Sequence, residues 1–65
     1  MISDLDIYRA ANLLIERHGA DALIEASRLI DRMLDRGDLD GHLVWLRIKR
    51  AIMALQAAPA SGTLH

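Results

Sequence analysis

Two glycines, Gly19 and Gly37, cut an otherwise continuous helical periodicity into three segments, and this punctuation constrains the fold more than any other feature. Between the breaks, apolar residues recur every three or four positions, which places them on one side of a helix turning about 100° per residue. No stretch alternates polar and apolar residues with the period of two that a half-buried strand needs. A chain of 65 residues is also too short for a solenoid repeat. The expected fold is all-α: a compact three-helix domain over residues 1–58, with very short turns at Gly19 and from Gly37 to Gly41, and a flexible tail over 59–65.

Each segment carries its own start and stop signals. Ser3 is a candidate N-cap for a first helix reaching His18, with Asp4 and Asp6 in its first turn and Arg17 and His18 in its last, where they oppose the two ends of the helix dipole. Ile7, Ala11, Leu14, Ile15 and His18 share one face of it. The second helix is expected from about Ala20 to Arg36, with a stripe of Ala22, Leu23, Ala26, Leu29, Ile30, Met33 and Leu34. Its opposite face holds Glu25–Arg28, Arg28–Asp31 and Arg32–Asp35 pairs at three-residue spacing. Asp38 or Asp40 caps a third helix expected to run to about Gln56 and to be closed by Pro59. Val44, Ile48, Ala51, Ile52 and Leu55 make one face of that helix, with Trp45 at the edge.

The third helix is apolar on a second side as well. Leu39, Leu43, Leu46 and Met53 form another arc, broken by Arg50. A helix with two apolar sides either runs through the middle of a domain or faces a partner. Composition favours the partner. Hydrophobic residues make up 52% of the chain, whereas a domain this small buries only about 60% of the surface its unfolded chain exposes. With no Phe, one Trp and one Tyr, the core must be aliphatic, and Ala11, Ala22, Ala26 and Ala51 would let helix backbones approach closely.

The residues offer little for catalysis or metal binding. Asp38-Leu39-Asp40-Gly41 resembles the centre of an EF-hand loop, but the flanking ligand positions hold Arg36 and Arg47, two cations where calcium requires carboxylates. The acids are better explained as helix caps. His18, His42 and His65 lack a second histidine three or four residues away, so no metal site and no cofactor is expected. Ser27 sits mid-helix without a base, the chain has no cysteine, and no catalytic residue is assigned. Neither an export signal nor an apolar run of about 20 residues is visible, making the cytoplasm the default location.

Charge raises one competing possibility. Residues 1–41 carry five basic and nine acidic groups, and residues 42–65 add Arg47, Lys49 and Arg50 with no acid, for a net −1. A basic last helix after a turn is a DNA-reading plan. Yet the end that would enter the groove carries Asp38 and Asp40, and the three cations point in different directions. Nucleic-acid contact by Arg47, Lys49 and Arg50 is therefore the second expectation. The first is a non-enzymatic interaction module, a homodimer or the binder of a helical partner protein, whose interface is Leu39, Leu43, Leu46 and Met53.

The segments Glu16-Arg17-His18-Gly19-Ala20-Asp21-Ala22 and Gly37-Asp38-Leu39-Asp40-Gly41, followed by Val44-Trp45 and Arg47-Ile48, resemble a group of short bacterial proteins gathered as a domain of unknown function. The resemblance spans most of residues 4–56. It implies a compact helical protein of the bacterial cytoplasm and supplies no activity, ligand or catalytic residue.

Overall fold

The structure, a computed structural model, describes the backbone of residues 2–62 and the side chains of residues 2–57. It is all-helical across these residues. Helix α1 spans Asp4–His18, a single turn of 3-10 helix covers Gly19–Asp21, α2 spans Ala22–Asp35 and α3 spans Leu39–Gly62.

Local chemistry sets the boundaries. The Ser3 Oγ accepts the Asp6 backbone N–H at 3.2 Å, satisfying one of the free donors at the start of α1, while its own hydroxyl donates to Asp6 Oδ2 at 3.0 Å. At the other end Gly19 takes a φ of 53° and its N–H returns to the Ile15 carbonyl. The α2–α3 junction is tighter. Gly37, at φ 72°, donates to the Leu34 carbonyl at 3.0 Å, and Asp38 donates to the Met33 carbonyl at 2.9 Å. These two bonds make a Schellman closure of α2. Asp38 then opens α3, its Oδ1 accepting the Gly41 N–H at 2.9 Å and its carbonyl accepting the His42 N–H at 3.0 Å. One residue thus closes one helix and caps the next, which accounts for the Asp-x-Asp-Gly pattern.

Two shorter helices lie on one long one. Both α1 and α2 rest chiefly on α3 and touch each other least. Arg47 of α3 meets Asp4 at the start of α1, and Gln56, further along α3, donates to the Gly19 carbonyl at the end of α1. Later residues pair with later residues, so α1 and α3 run in the same sense, and α2 carries the chain back from the end of one to the start of the other. The molecule measures 46 × 24 × 16 Å, its long dimension following α3.

The core is Ile7, Ala11 and Leu14 of α1, Ala22 and Ala26 of α2, and Ile48, Ala51 and Ile52 of α3. Four of these eight are alanines, the residues expected to allow close approach. Ile52 is the largest side chain that is fully enclosed, and Trp45, Val44, Leu55, Leu23, Ile15 and Ala10 cover the cluster from its edges. No polar or charged side chain among the described residues is buried.

Several expectations need correction. The α2 helix begins at Ala22, because Gly19–Asp21 is wound as 3-10. Leu34 is exposed although it lies at the edge of the expected stripe, since α2 ends one residue later at Asp35 and nothing covers that flank. His18 is exposed too. It has the correct helical angle, but the backbone turns away at Gly19, and Gln56 rather than His18 satisfies the carbonyl there. Of the three expected pairs on α2, the Glu25–Arg28 bridge forms at 3.5 Å, and among the described residues the other two do not. Helix α3 continues past Pro59 to Gly62. Proline's ring-fixed φ is itself helical, and its cost, a missing N–H donor and a clash with the carbonyl four residues back, is a local one. Residues 63–65, including the third histidine, lie outside the described residues.

Candidate interaction face

Helix α3 turns Val44, Ile48, Ala51, Ile52 and Leu55 inward. The opposite side is open. Leu39 is 66% exposed, Leu43 57% and Met53 51%, so neither α1 nor α2 covers the second arc. Leu46, between them, is half-buried. These four residues and Arg50 fall at positions 39, 43, 46, 50 and 53, with intervals of four, three, four and three. That is the spacing of a coiled-coil seam, in which each apolar side chain meets a facing helix twice every seven residues. Only Arg50 interrupts it, and it is exposed, with no ion pair among the described residues.

The residues beside the seam differ on its two sides. Asp40, Arg47 and Ala54 lie on one flank, where Arg47 reaches the start of α1, and His42, Lys49 and Gln56 lie on the other, where Gln56 reaches its end. Arg47 is already engaged: its Nη2 is 2.7 Å from Asp4 Oδ1 and its Nη1 donates to the Ile2 carbonyl at 3.3 Å. The pair is open to water, with side chains 41% and 90% exposed for Arg47 and Asp4, so solvent weakens it and its main effect is alignment of α1 on α3. The Nδ1 of His42 is enclosed without a hydrogen-bond partner.

Two open depressions follow the α1–α3 groove. One, of about 290 Å³, is lined by Asp4, Ile7, Tyr8, Arg47, Arg50 and Ala51. The other, of about 420 Å³, is lined by Ile2, Asp40, Leu43, Val44 and Arg47. The second brings Ile2 beside Leu43, extending the apolar arc toward α1. Neither is enclosed, and neither has a nucleophile beside a base or converging carboxylates in its lining. Among the described residues, no group of three or more His, Asp or Glu side chains gathers as metal ligands, and no helix is long and apolar enough to cross a membrane.

The structure thus brings Leu39, Leu43, Leu46 and Met53 onto one face. It does not gather Arg47, Lys49 and Arg50. Arg47 is tied to α1 and shares the first depression with Arg50, while Lys49 is half-buried on the far flank. The inter-helix roles of Gln56 and of Asp4 had no sequence signal, since each depends on which residue of a distant helix comes opposite. No family model, curated protein or solved structure matches the chain.

Proposed function

We propose that this chain is a non-enzymatic, cytoplasmic three-helix interaction module that associates with a second copy of itself through the outer face of α3. One observation carries the reading: a four-three spaced apolar seam left uncovered on a helix whose other side already forms the core. Covering four such side chains is worth roughly 6–12 kcal/mol gross at 1.5–3 kcal/mol each. Association entropy offsets a large part of that, and Leu46, already half-covered, contributes less than the others.

Sedimentation across a hundredfold concentration range tests it. Dimer that dissociates on dilution supports the reading, and a monomer at every concentration defeats it. Leu46→Glu should abolish association while retaining helical circular dichroism. Because Leu46 also touches its own chain, Leu43→Glu, at a more exposed position, is the companion variant. Nucleic-acid binding is the weaker reading because Lys49 lies on the flank opposite Arg47 and the start of α3 carries Asp38 and Asp40.

A further inference from the structure

We propose that the two copies pair their α3 helices antiparallel, with Leu43 against the partner's Leu46 and Arg50 against the partner's Leu39. This rests on the self-association proposed above and adds its direction and register. The argument comes from charge. In a parallel pair each seam residue meets its own counterpart, so the lone charged seam residue, Arg50, would be pressed against the partner's Arg50. Like charges at that position oppose assembly. Running the helices in opposite senses removes the clash and creates complementary contacts.

In the register with Leu43 opposite the partner's Leu46, Arg50 falls beside the partner's Leu39, between the partner's Asp38 and the partner's Asp40. Asp38 uses Oδ1 to cap α3, and Asp40, exposed beside the seam, also comes next to the partner's Arg47. Every acid at the start of α3 thus meets a cation from its middle, in both directions, because the pairing is two-fold symmetric. Met53 extends beyond Leu39 of the partner to lie over its α2–α3 turn. Sliding the pair by one heptad would bury a longer seam. It would also bring Arg47 and Arg50 close to the same residues of the partner, so the charges select the shorter overlap.

The chain has no cysteine, so a single Ala57→Cys variant carries one spin label per copy. Residue 57 lies 12.5 residues from the proposed two-fold centre, and a rise of about 1.5 Å per residue puts the two labels about 38 Å apart. Pulsed electron resonance on the dimer should find that distance. A separation under about 20 Å, set by helix packing at about 10 Å, means a parallel pair and overturns the inference while leaving self-association intact. About 27 Å means the heptad-slipped register and overturns the charge argument. A monomer overturns both readings.

Charge reversal supplies the second arm. Asp40→Lys and Arg50→Glu should each weaken the homodimer about tenfold, as exchanging attraction for repulsion at two symmetric, partly exposed sites would. An equal mixture of the two variants should recover wild-type affinity, because the Asp40→Lys side chain of one copy then faces the Arg50→Glu side chain of the other and the remaining pair is native. Failure of the mixture to recover, or an Asp40→Lys homodimer as tight as wild type, would overturn the register.

Discussion

At Gly37 the chain adopts φ 72°, and no atom lies within 4 Å of where a Cβ would sit. At Gly41 the φ is not in the left-handed region, but a Cβ would fall 2.6 Å from Asp38 Oδ2 and 2.9 Å from the Met33 sulfur. Alanine should be destabilising at both sites, for different reasons. At Gly37 the penalty is conformational, about 1–2 kcal/mol, and Gly37→Asn should be milder because asparagine tolerates that region. At Gly41 the usual helix gain of about 1 kcal/mol for Gly→Ala is opposed by steric pressure on the carboxylate that caps α3. We expect Gly41→Ala to lower the melting temperature and Gly41→Asn to do no better. Thermal unfolding followed by the single tryptophan, Trp45, would separate the two. Loss of the Ser3 cap in Ser3→Ala should cost about 1 kcal/mol, whereas Arg47→Gln, which breaks a solvent-exposed pair, should cost less than about 1 kcal/mol.

Among the elements, α3 depends on Ile52 and α2 on its alanines. Ile52→Ala should cost about 2–5 kcal/mol, enough to unfold a domain this small in mild denaturant. Ala26→Leu should also destabilise, by about 1–3 kcal/mol, because it forces a larger side chain between backbones already in close approach. Urea titrations of both variants check these values. Much at this scale was legible in the sequence. Helical spacing placed Ile7, Ala11, Leu14, Ala22, Ala26, Ile30, Ile48, Ala51 and Ile52 on inward faces, and every one is buried. The misses have a common cause. Periodicity gives the angle at which a side chain leaves its helix but not how far the neighbouring helix extends. His18 and Leu34 have suitable angles near the ends of α1 and α2, where the chain turns away. Proline at position 59 carries a strong stop signal, yet its local penalty alone does not determine where α3 ends.

For the molecule as a whole, the sequence showed that α3 has two apolar sides but not whether α1 and α2 would share one of them or take one each. Cross-links between residues far apart in sequence, Asp4 with Arg47 and Gln56 with Gly19, decide the matter by holding α1 alongside α3 in the same sense. With both shorter helices on one side, the Leu39–Met53 face stays open. At low ionic strength the protein should pass through immobilised heparin without retention. Clear retention that weakens steeply with salt would instead favour nucleic acid.

The alanine-lined interior has a consequence for how such a chain can change over time. Where backbones already touch, larger side chains do not fit, so the inside offers little scope for added cohesion. Improvement has to be recruited from outside, and an outside contact follows mass action. If that contact is a second copy, the melting temperature should climb with protein concentration. The cell would then set the robustness of this protein by how much of it is made, and dilution would undo what substitution in the core could not replace.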